Sequence, residues 1–310
     1  EIYDLIRTVA STRSTVLIRG ESGTGKELIA GAIHYLSPRK NKPFIKVNCA
    51  AISEELLESE LFGHEKGAFT GAIRSNEGKF VMADGGSILL DEVSEMSAKL
   101  QAKLLRVLQE REVDKVGGRD PVKVDVRVMA TTNRDLEKTI QEGRFREDLY
   151  YRLNVVSIEF PPLRERKSDI PLLVNHFIEK YNQEMNKRIQ GITKDAESLL
   201  WKNDWPGNVR QLENVIERAV VLAKGPQLDA SNLPPELRDS SPDQIGRDGG
   251  SRVGMTVAEM ERDLIFKTLE SVSDNRTRAA EMLGISIRTL RNKLNDYRAA
   301  GFEWPPKDTE

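Results

Sequence analysis

Apolar residues recur along this chain with two different periods, and the change from one to the other divides it. Ile2, Leu5, Ile6 and Val9 return at the spacing that lines one face of a helix. Thr15 to Arg19 is a short apolar run leading straight into glycines, and a helical pattern follows from Lys26 to about Tyr35. Phe44 to Asn48 and Ser87 to Leu90 read as further strands, the second a buried one. Helical periodicity returns from Ser97 to Glu110. Val124, Val126 and Val128 alternate with charged residues, which predicts a strand over 124–130 with one wetter face. Asn154 to Phe160 gives one more strand, ended by Pro161 and Pro162, which lack the N–H a sheet ladder needs. Strands alternating with helices predict a mostly parallel sheet with helices on both faces.

From Ser168 the pattern is helical only, through Leu222, and the shift marks a second, all-helical unit. Ser240 to Gly254 has no apolar period and reads as a flexible linker. Thr256 with Glu259 three residues on forms a capping box that opens a new helix, and the chain beyond Gly301 is expected to fray. The expected domains are an α/β part over 1–162, a helical lid over 163–238, a linker over 239–254, a small helical domain over 255–301 and a tail over 302–310.

At 310 residues the chain is long enough for two or three domains. Its formal net charge of −2 excludes a globally basic nucleic-acid binder and leaves local patches open. The single cysteine, Cys49, allows no disulfide framework within the chain, fits a reducing compartment and reads as a small buried hydrophobe. No apolar run approaches the roughly 18–20 residues that span a bilayer, and no basic segment precedes an apolar stretch as in a secretion signal. A cytoplasmic location, with no membrane partner, is expected. Glu1 already stands inside a helical pattern, so the chain is expected to have been cut from something longer.

Gly20-Glu21-Ser22-Gly23-Thr24-Gly25-Lys26 lies between a strand and a helix. In that setting glycines let successive backbone N–H groups point at phosphate oxygens, the helix N-terminus adds its dipole, and Lys26 reaches the β- and γ-phosphates. The reading is an ATP site. The generic pattern has Ser or Thr next, to touch Mg²⁺, and here the residue is Glu27, which leaves the ion to other groups and water. Ile88-Leu89-Leu90-Asp91-Glu92 is an apolar strand ending in two acids. Asp91 at the strand tip positions Mg²⁺, directly or through water, and Glu92 polarises the attacking water as general base. Asn48 ends the neighbouring strand and is expected to hydrogen-bond Glu92.

Four segments together carry a family resemblance: G-E-S-G-T-G-K-E at 20–27, F-G-H-E-K-G-A-F-T-G-A at 62–72, A-D-G-G-S-I-L-L-D-E at 83–92 and W-P-G-N-V-R-Q-L-E-N at 205–214. They resemble the AAA+ ATPase domain of sigma-54-dependent transcription activators, over essentially Glu1 to Leu237. Glu27 is usual in that family. The resemblance implies that Gly67, Ala68, Phe69, Thr70, Gly71 and Ala72 form the loop that contacts sigma-54, with Phe69 and Thr70 at the contact and Val116-Gly117-Gly118 moving beside it. From the residues alone this segment is a glycine-flanked tip too small and apolar to fold on itself. The resemblance further implies that Asn48 is a switch reporting the γ-phosphate, that Thr131-Thr132-Asn133 is sensor I with Asn133 orienting the lytic water, and that Arg146 and Arg152 are arginine fingers offered to a neighbouring subunit. Arg210, after Pro206-Gly207-Asn208, resembles sensor II acting within its own subunit. The family assembles as hexamers or heptamers, and a hexamer is expected. Its members usually carry an N-terminal sensor domain before the segment present here.

Residues 275–298 read as a helix-turn-helix: Ala279, Ala280 and Leu283 on a first helix, a turn at Gly284, and a second helix capped by Ser286 with Ile287, Leu290 and Leu294 facing inward. Arg276, Arg278, Arg288, Arg291, Lys293 and Arg298 against Glu281 and Asp296 give the segment a local charge of +4. Arg288, Thr289, Arg291 and Asn292 are placed for base edges, with Arg276 and Lys293 among the residues for phosphates. The segment resembles the Fis-type module that ends these activators, with 256–272 as a candidate dimer helix. The implied function is a ring ATPase that binds double-stranded DNA upstream of promoters and remodels sigma-54 RNA polymerase. Its rivals are a DNA-binding regulator that uses ATP only as a ligand switch, and an AAA+ unfoldase or helicase loader. The specific loop and the helix-turn-helix argue against the latter.

Overall fold

The short apolar runs fold as strands β1 (Val16–Arg19), β2 (Phe44–Asn48), β3 (Ser87–Asp91), β4 (Arg127–Thr132) and β5 (Val156–Glu159), joined in one parallel sheet of order β2-β3-β4-β1-β5. The structure, a computed structural model, describes residues 2–69, 72–238, 257–272 and 275–299. The chain divides into two compact units, residues 1–241 and 242–310.

The sheet is buried on both faces, and successive residues of a strand serve opposite sides. Leu17, Ile88, Leu90 and Val128 enter a core with helices α3 (Glu54–Phe62), α4 (Ala98–Glu110) and α5 (Glu147–Leu153). Val16, Ile18, Leu89 and Met129 enter another with α1 (Ile2–Ala10) and α2 (Lys26–Tyr35). Helix α4 shows how local sequence suffices. The Ser97 hydroxyl accepts from Leu100 N–H, Leu100, Leu104 and Val107 line its buried stripe, and Arg111 in the left-handed region (φ 57°) ends it.

Two expectations for the α/β part fail. The strand near 124–130 begins at Arg127, and every one of its six residues is buried. Residues 124 and 125 instead bond to loops, Val124 N–H to the Arg111 carbonyl (2.9 Å) and Asp125 N–H to the Asp84 carboxylate (2.7 Å). Arg127 misled the pattern. It is buried because its guanidinium donates to the carbonyls of Val9 (2.8 Å), Ala10 (3.2 Å) and Ser14 (3.3 Å), and burial holds its pKa down at about 10. The last strand is also shorter than 154–160, covering 156–159.

Beyond the sheet, α6 (Ile170–Met185), α7 (Lys194–Lys202) and α8 (Asn208–Leu222) pack around Phe177, Ile178, Trp205, Leu212 and Ile216. This part is not purely helical before Leu222: Gly191–Ile192 pairs in parallel with Gln227–Leu228. The expected linker and tail, and Thr256 of the capping box, lie outside the described residues.

In the second unit α9 (Val257–Ser271), α10 (Arg276–Met282) and α11 (Ile287–Ala299) share a small core of Ile265, Leu269, Ala279, Ala280 and Leu290. Gly284 turns the chain at φ 67°, and Ser286 Oγ accepts from Thr289 N–H at 3.0 Å, opening α11. Ile287, expected inward, is 37% exposed, because the inward face of α11 starts at Leu290 and returns at Leu294 and Tyr297. Among the described residues no helix is long and apolar enough to cross a membrane.

Candidate functional site

The carboxyl ends of the neighbouring parallel strands β1, β4 and β3 lie at one edge of the sheet, where α/β folds place their ligand sites. The loop after β1 is held there by close backbone approach. A Cβ on Gly20 would lie 2.6 Å from the Phe160 carbonyl, and one on Gly23 (φ 75°) 2.5 Å from the Gly207 carbonyl. Helix α2 follows its N-cap Gly25 with no side-chain cap, so its first N–H groups are left unpaired by a capping side chain. Lys26 is only 8% exposed, and its ammonium donates to the carbonyls of Gly20 (2.7 Å) and Glu21 (2.9 Å). Burial lowers its pKa, the Asp91 and Glu92 carboxylates oppose that, and Arg210 adds to it. Four of the expected site residues thus share one electrostatic neighbourhood.

The same loop is tied to the helical part by side chains the sequence did not single out. Arg164 grips the Glu21 carboxylate with two nitrogens (2.9 and 2.6 Å), and Asn208 Nδ2 donates to it at 3.1 Å. Those contacts hold the Glu21 carboxyl down at about 2. Asn208 is fully buried with φ 53°, donates also to the Ser22 carbonyl (3.1 Å), and accepts from Leu163 N–H (2.8 Å). Arg166 donates to the Thr24 carbonyl (2.8 Å) and lies over the Phe160 ring. Arg210, on the first turn of α8, reaches Ser22 Oγ at 3.5 Å, and its N–H donates to the Gly23 carbonyl at 3.3 Å. Glu27 departs from the group: its carboxylate pairs with Lys46 of β2 at 2.7 Å.

At the tip of β3 the partners differ from expectation. Register sets Asn48 beside Asp91, and Asn48 Nδ2 donates weakly to Asp91 Oδ2 (3.4 Å), with no bond to Glu92. Glu92 sits in the left-handed region (φ 56°), which turns it away from the strand line. Thr131 of β4, fully buried, donates its hydroxyl proton to Asp91 Oδ1 and accepts from Glu92 N–H (3.1 Å). Asn133 is exposed and makes no side-chain hydrogen bond among the described residues. Thr131 was expected within the sensor I segment, with Asn133 as its acting residue; the fold makes Thr131 the partner of the acids.

Arg146 precedes α5 with its guanidinium on Asp148 (3.0 and 2.7 Å), and Arg152 is exposed with no ion pair among the described residues. Neither bonds to residues 20–27, Asp91 or Glu92. Buried Gln101 fixes this segment, donating to the carbonyls of Met96 (2.8 Å) and Arg144 (3.0 Å) and accepting from Arg146 N–H (2.8 Å).

The segment after α3 does close on itself, contrary to expectation. Gly67 N–H donates to the Ala72 carbonyl (2.9 Å), Ala68 N–H to Glu65 (3.1 Å) and Ala72 N–H to Phe69 (3.1 Å). Its base joins the 116–118 loop, Glu65 N–H to the Val116 carbonyl (3.0 Å) and Val116 N–H to Gly63 (2.9 Å). His64 sits at that base. Nε2 faces the Arg74 carbonyl (2.8 Å) and so carries the proton, Nδ1 faces Ser59 Oγ (2.7 Å), and the ring meets the edge of Phe69. Phe69 is 42% exposed; Thr70 and Gly71 lie outside the described residues.

In the second unit Arg276, Arg288, Thr289, Arg291 and Asn292 are exposed. Lys293 is half-buried and pairs with Glu261 of α9 at 2.7 Å, because position 293 follows Leu290 towards the face packed on α9.

Strand order, cradle and helical lid define a parallel-sheet P-loop domain of the AAA+ type, followed by a helix-turn-helix domain. Family models agree along the chain: the sigma-54 interaction domain matches residues 1–159, the AAA+ ATPase lid domain 164–248, and the bacterial regulatory proteins of the Fis family 256–297. The chain belongs to the family of sigma-54-dependent transcription activators. It is 52% identical to the transcriptional regulatory protein FlbD of Caulobacter vibrioides, over 99% of this chain and 70% of that protein. It is 53% identical to the regulatory protein AtoC of Escherichia coli, over 93% of this chain and 64% of that one. Against the nitrogen fixation protein AnfA of Azotobacter vinelandii it is 49% identical, spanning 55% of that relative's length. Among solved structures, NtrX from Brucella abortus superposes with a TM-score of 0.75 at 37% identity, covering 95% of this chain and 66% of its own. NtrX has also been solved in complex with ADP and with ATP.

Proposed function

We propose that this chain is an ATP-driven activator: it binds ATP with Mg²⁺ at residues 20–26, hydrolyses it, and uses the cycle to press the Gly67–Ala72 loop on sigma-54 RNA polymerase. The observation that carries the reading is the buried Lys26 ammonium in the joint field of Asp91, Glu92 and Arg210 at the open end of the sheet. The ATP- and ADP-bound structures of NtrX support the same use.

Backbone N–H groups of the loop and of the first turn of α2 would receive phosphate oxygens, with Lys26 and Arg210 adding positive charge. Magnesium, when bound, neutralises charge on the phosphates; Asp91 would hold it, directly or through water. The donor set fits. A strand-tip carboxylate, Asp91, is available, and one carboxylate with waters and phosphate oxygens is the donor set such an ion takes. Glu92 would accept the proton of the attacking water, with Asn133 orienting that water. Arg146 and Arg152, which bond to neither the cradle nor the acids, would serve the neighbour in a ring, Arg146 first leaving Asp148.

The output path is short. Asn48 touches Asp91, and the chain from Asn48 runs directly through α3 to His64 and the loop. A change at the γ-phosphate would bias Asn48, and through α3 the loop. The α/β part (1–162) and lid (163–238) would form a hexameric ring. Residues 239–254 would tether a DNA-binding domain (255–301), dimerised through α9, that holds upstream DNA with Arg276, Arg288, Thr289, Arg291 and Asn292.

The deciding variant is Thr70→Ala. ATP turnover and DNA binding are expected to persist while promoter opening by sigma-54 polymerase falls to background. Promoter opening at the wild-type rate would sink the reading.

A further inference from the structure

Resting on the ATPase reading, we propose that Thr131 is a positioning residue for hydrolysis, whose one hydroxyl sets both acids at the end of β3. Glu92 N–H has only a proton to give, so the 3.1 Å contact makes Thr131 Oγ1 the acceptor there. The hydroxyl proton then goes to Asp91 Oδ1. Among the described residues Asp91 Oδ2 has only the long 3.4 Å contact to Asn48, so Thr131 is the stronger of the two hands on that carboxylate.

The second effect is on the backbone. Glu92 adopts φ 56° and ψ 48°, a conformation disfavoured for a residue with a Cβ. It persists where its surroundings over-determine it, and an N–H donated to a buried hydroxyl is such a constraint. Thr131 itself cannot drift. It is fully buried in β4, and the β-branched side chain has few rotamers. The hydroxyl therefore fixes the plane of the carboxylate toward the ion and the direction in which the Glu92 side chain leaves the strand, without touching substrate.

Thr131→Val keeps the branched shape and deletes both hydrogen bonds; Thr131→Ser keeps the hydroxyl. Outer-shell partners of a metal-holding carboxylate are typically worth about 10- to 100-fold in metal affinity or activity. For Thr131→Val the expected result is a kcat lowered at least about tenfold, with the Mg²⁺ concentration for half-maximal rate raised several-fold. KM for ATP and the affinity for a fluorescent ADP in EDTA should stay within about twofold, because the Lys26 cradle is untouched. Thr131→Ser should restore both the rate and the Mg²⁺ midpoint. If the valine variant fails to fold, Thr131→Ala, which also lacks the hydroxyl, decides. Wild-type kcat and Mg²⁺ midpoint in either variant would overturn the proposal. So would a rate loss that tracks a fall in melting temperature while the midpoint stays put. Failure of the wild-type chain to turn over ATP would instead overturn the ATPase reading, and Mg²⁺-dependent ATP binding by the variants would still report on Thr131.

Discussion

The loop after β1 and the loop after α3 are both glycine-rich, both lie in the first unit, and are held in opposite ways. The first is tied from every side: Arg164 and Asn208 on Glu21, Arg166 on Thr24, Arg210 on Gly23, and the Gly207 backbone against Gly23. The second is tied at its base by backbone bonds to residue 116 and by His64, and Phe69 at its tip is half exposed. Glycine serves close approach in one and leaves a small tip in the other. A site that must hold charges in register for chemistry benefits from cross-ties. A part that changes its contacts during a cycle is drawn from the weakly held end of the structure.

The largest expected effect breaks the first side of that comparison. Asn208→Ala deletes the three hydrogen bonds of a fully buried side chain and puts an alanine at φ 53°. Each buried partner left unmade costs about 1–3 kcal/mol. The variant should lose several kcal/mol in denaturant unfolding and bind ATP weakly. A loss below about 1 kcal/mol would mean that the cross-ties are slack.

The second side is tested by His64→Ala, which removes the clasp between α3, the Arg74 carbonyl and Phe69. A half-buried ring of this kind should cost only about 1–2 kcal/mol. ATP turnover should stay within about twofold, while promoter opening with sigma-54 polymerase drops several-fold. Equal loss of both activities would show that the loop is not mechanically separate from the site.

The smallest effect concerns the back of the cradle helix. His34, near the end of α2, is buried, stacked on Phe44 and 3.0 Å from Ser87 Oγ, and burial lowers its pKa below the ordinary 6.5. The unfolded chain therefore binds the proton more readily. The contribution to stability is complete above the unfolded value and is lost as pH falls through the folded one. Melting temperature should fall by a few degrees below pH 6.5, and His34→Asn should flatten that slope. An unchanged slope in the variant would remove His34 from the account.

The strands and helices that position the cradle were readable because each is short-range. An apolar run before glycines gives β1, and a hydroxyl cap with an apolar stripe gives α4. What escaped the sequence depends on partners far along the chain. Arg127 looks like a wet position until the carbonyls at the end of α1 arrive. Asn48 was paired in expectation with Glu92, and the β2–β3 register gave it Asp91. Lys293 reads as one more basic residue of its helix, and its ion pair with Glu261 depends on α9, thirty-two positions earlier. Among the described residues Arg146 and Arg152 bond to neither the cradle nor the acids, and nothing local could have shown that Gln101 holds the segment that carries them.

Strand β4 has a property that follows from its two ends. Arg127 at its start grips the last carbonyls of α1, and Thr131, four residues on, grips Asp91 and Glu92. At about 3.3 Å per residue the two grips are ~13 Å apart. The strand between them is bonded along both edges and buried on both faces. It is a strut. Neither end can slip register without breaking the sheet bonds on both edges, so the α1 terminus and the acid pair are held at a fixed spacing by one strand.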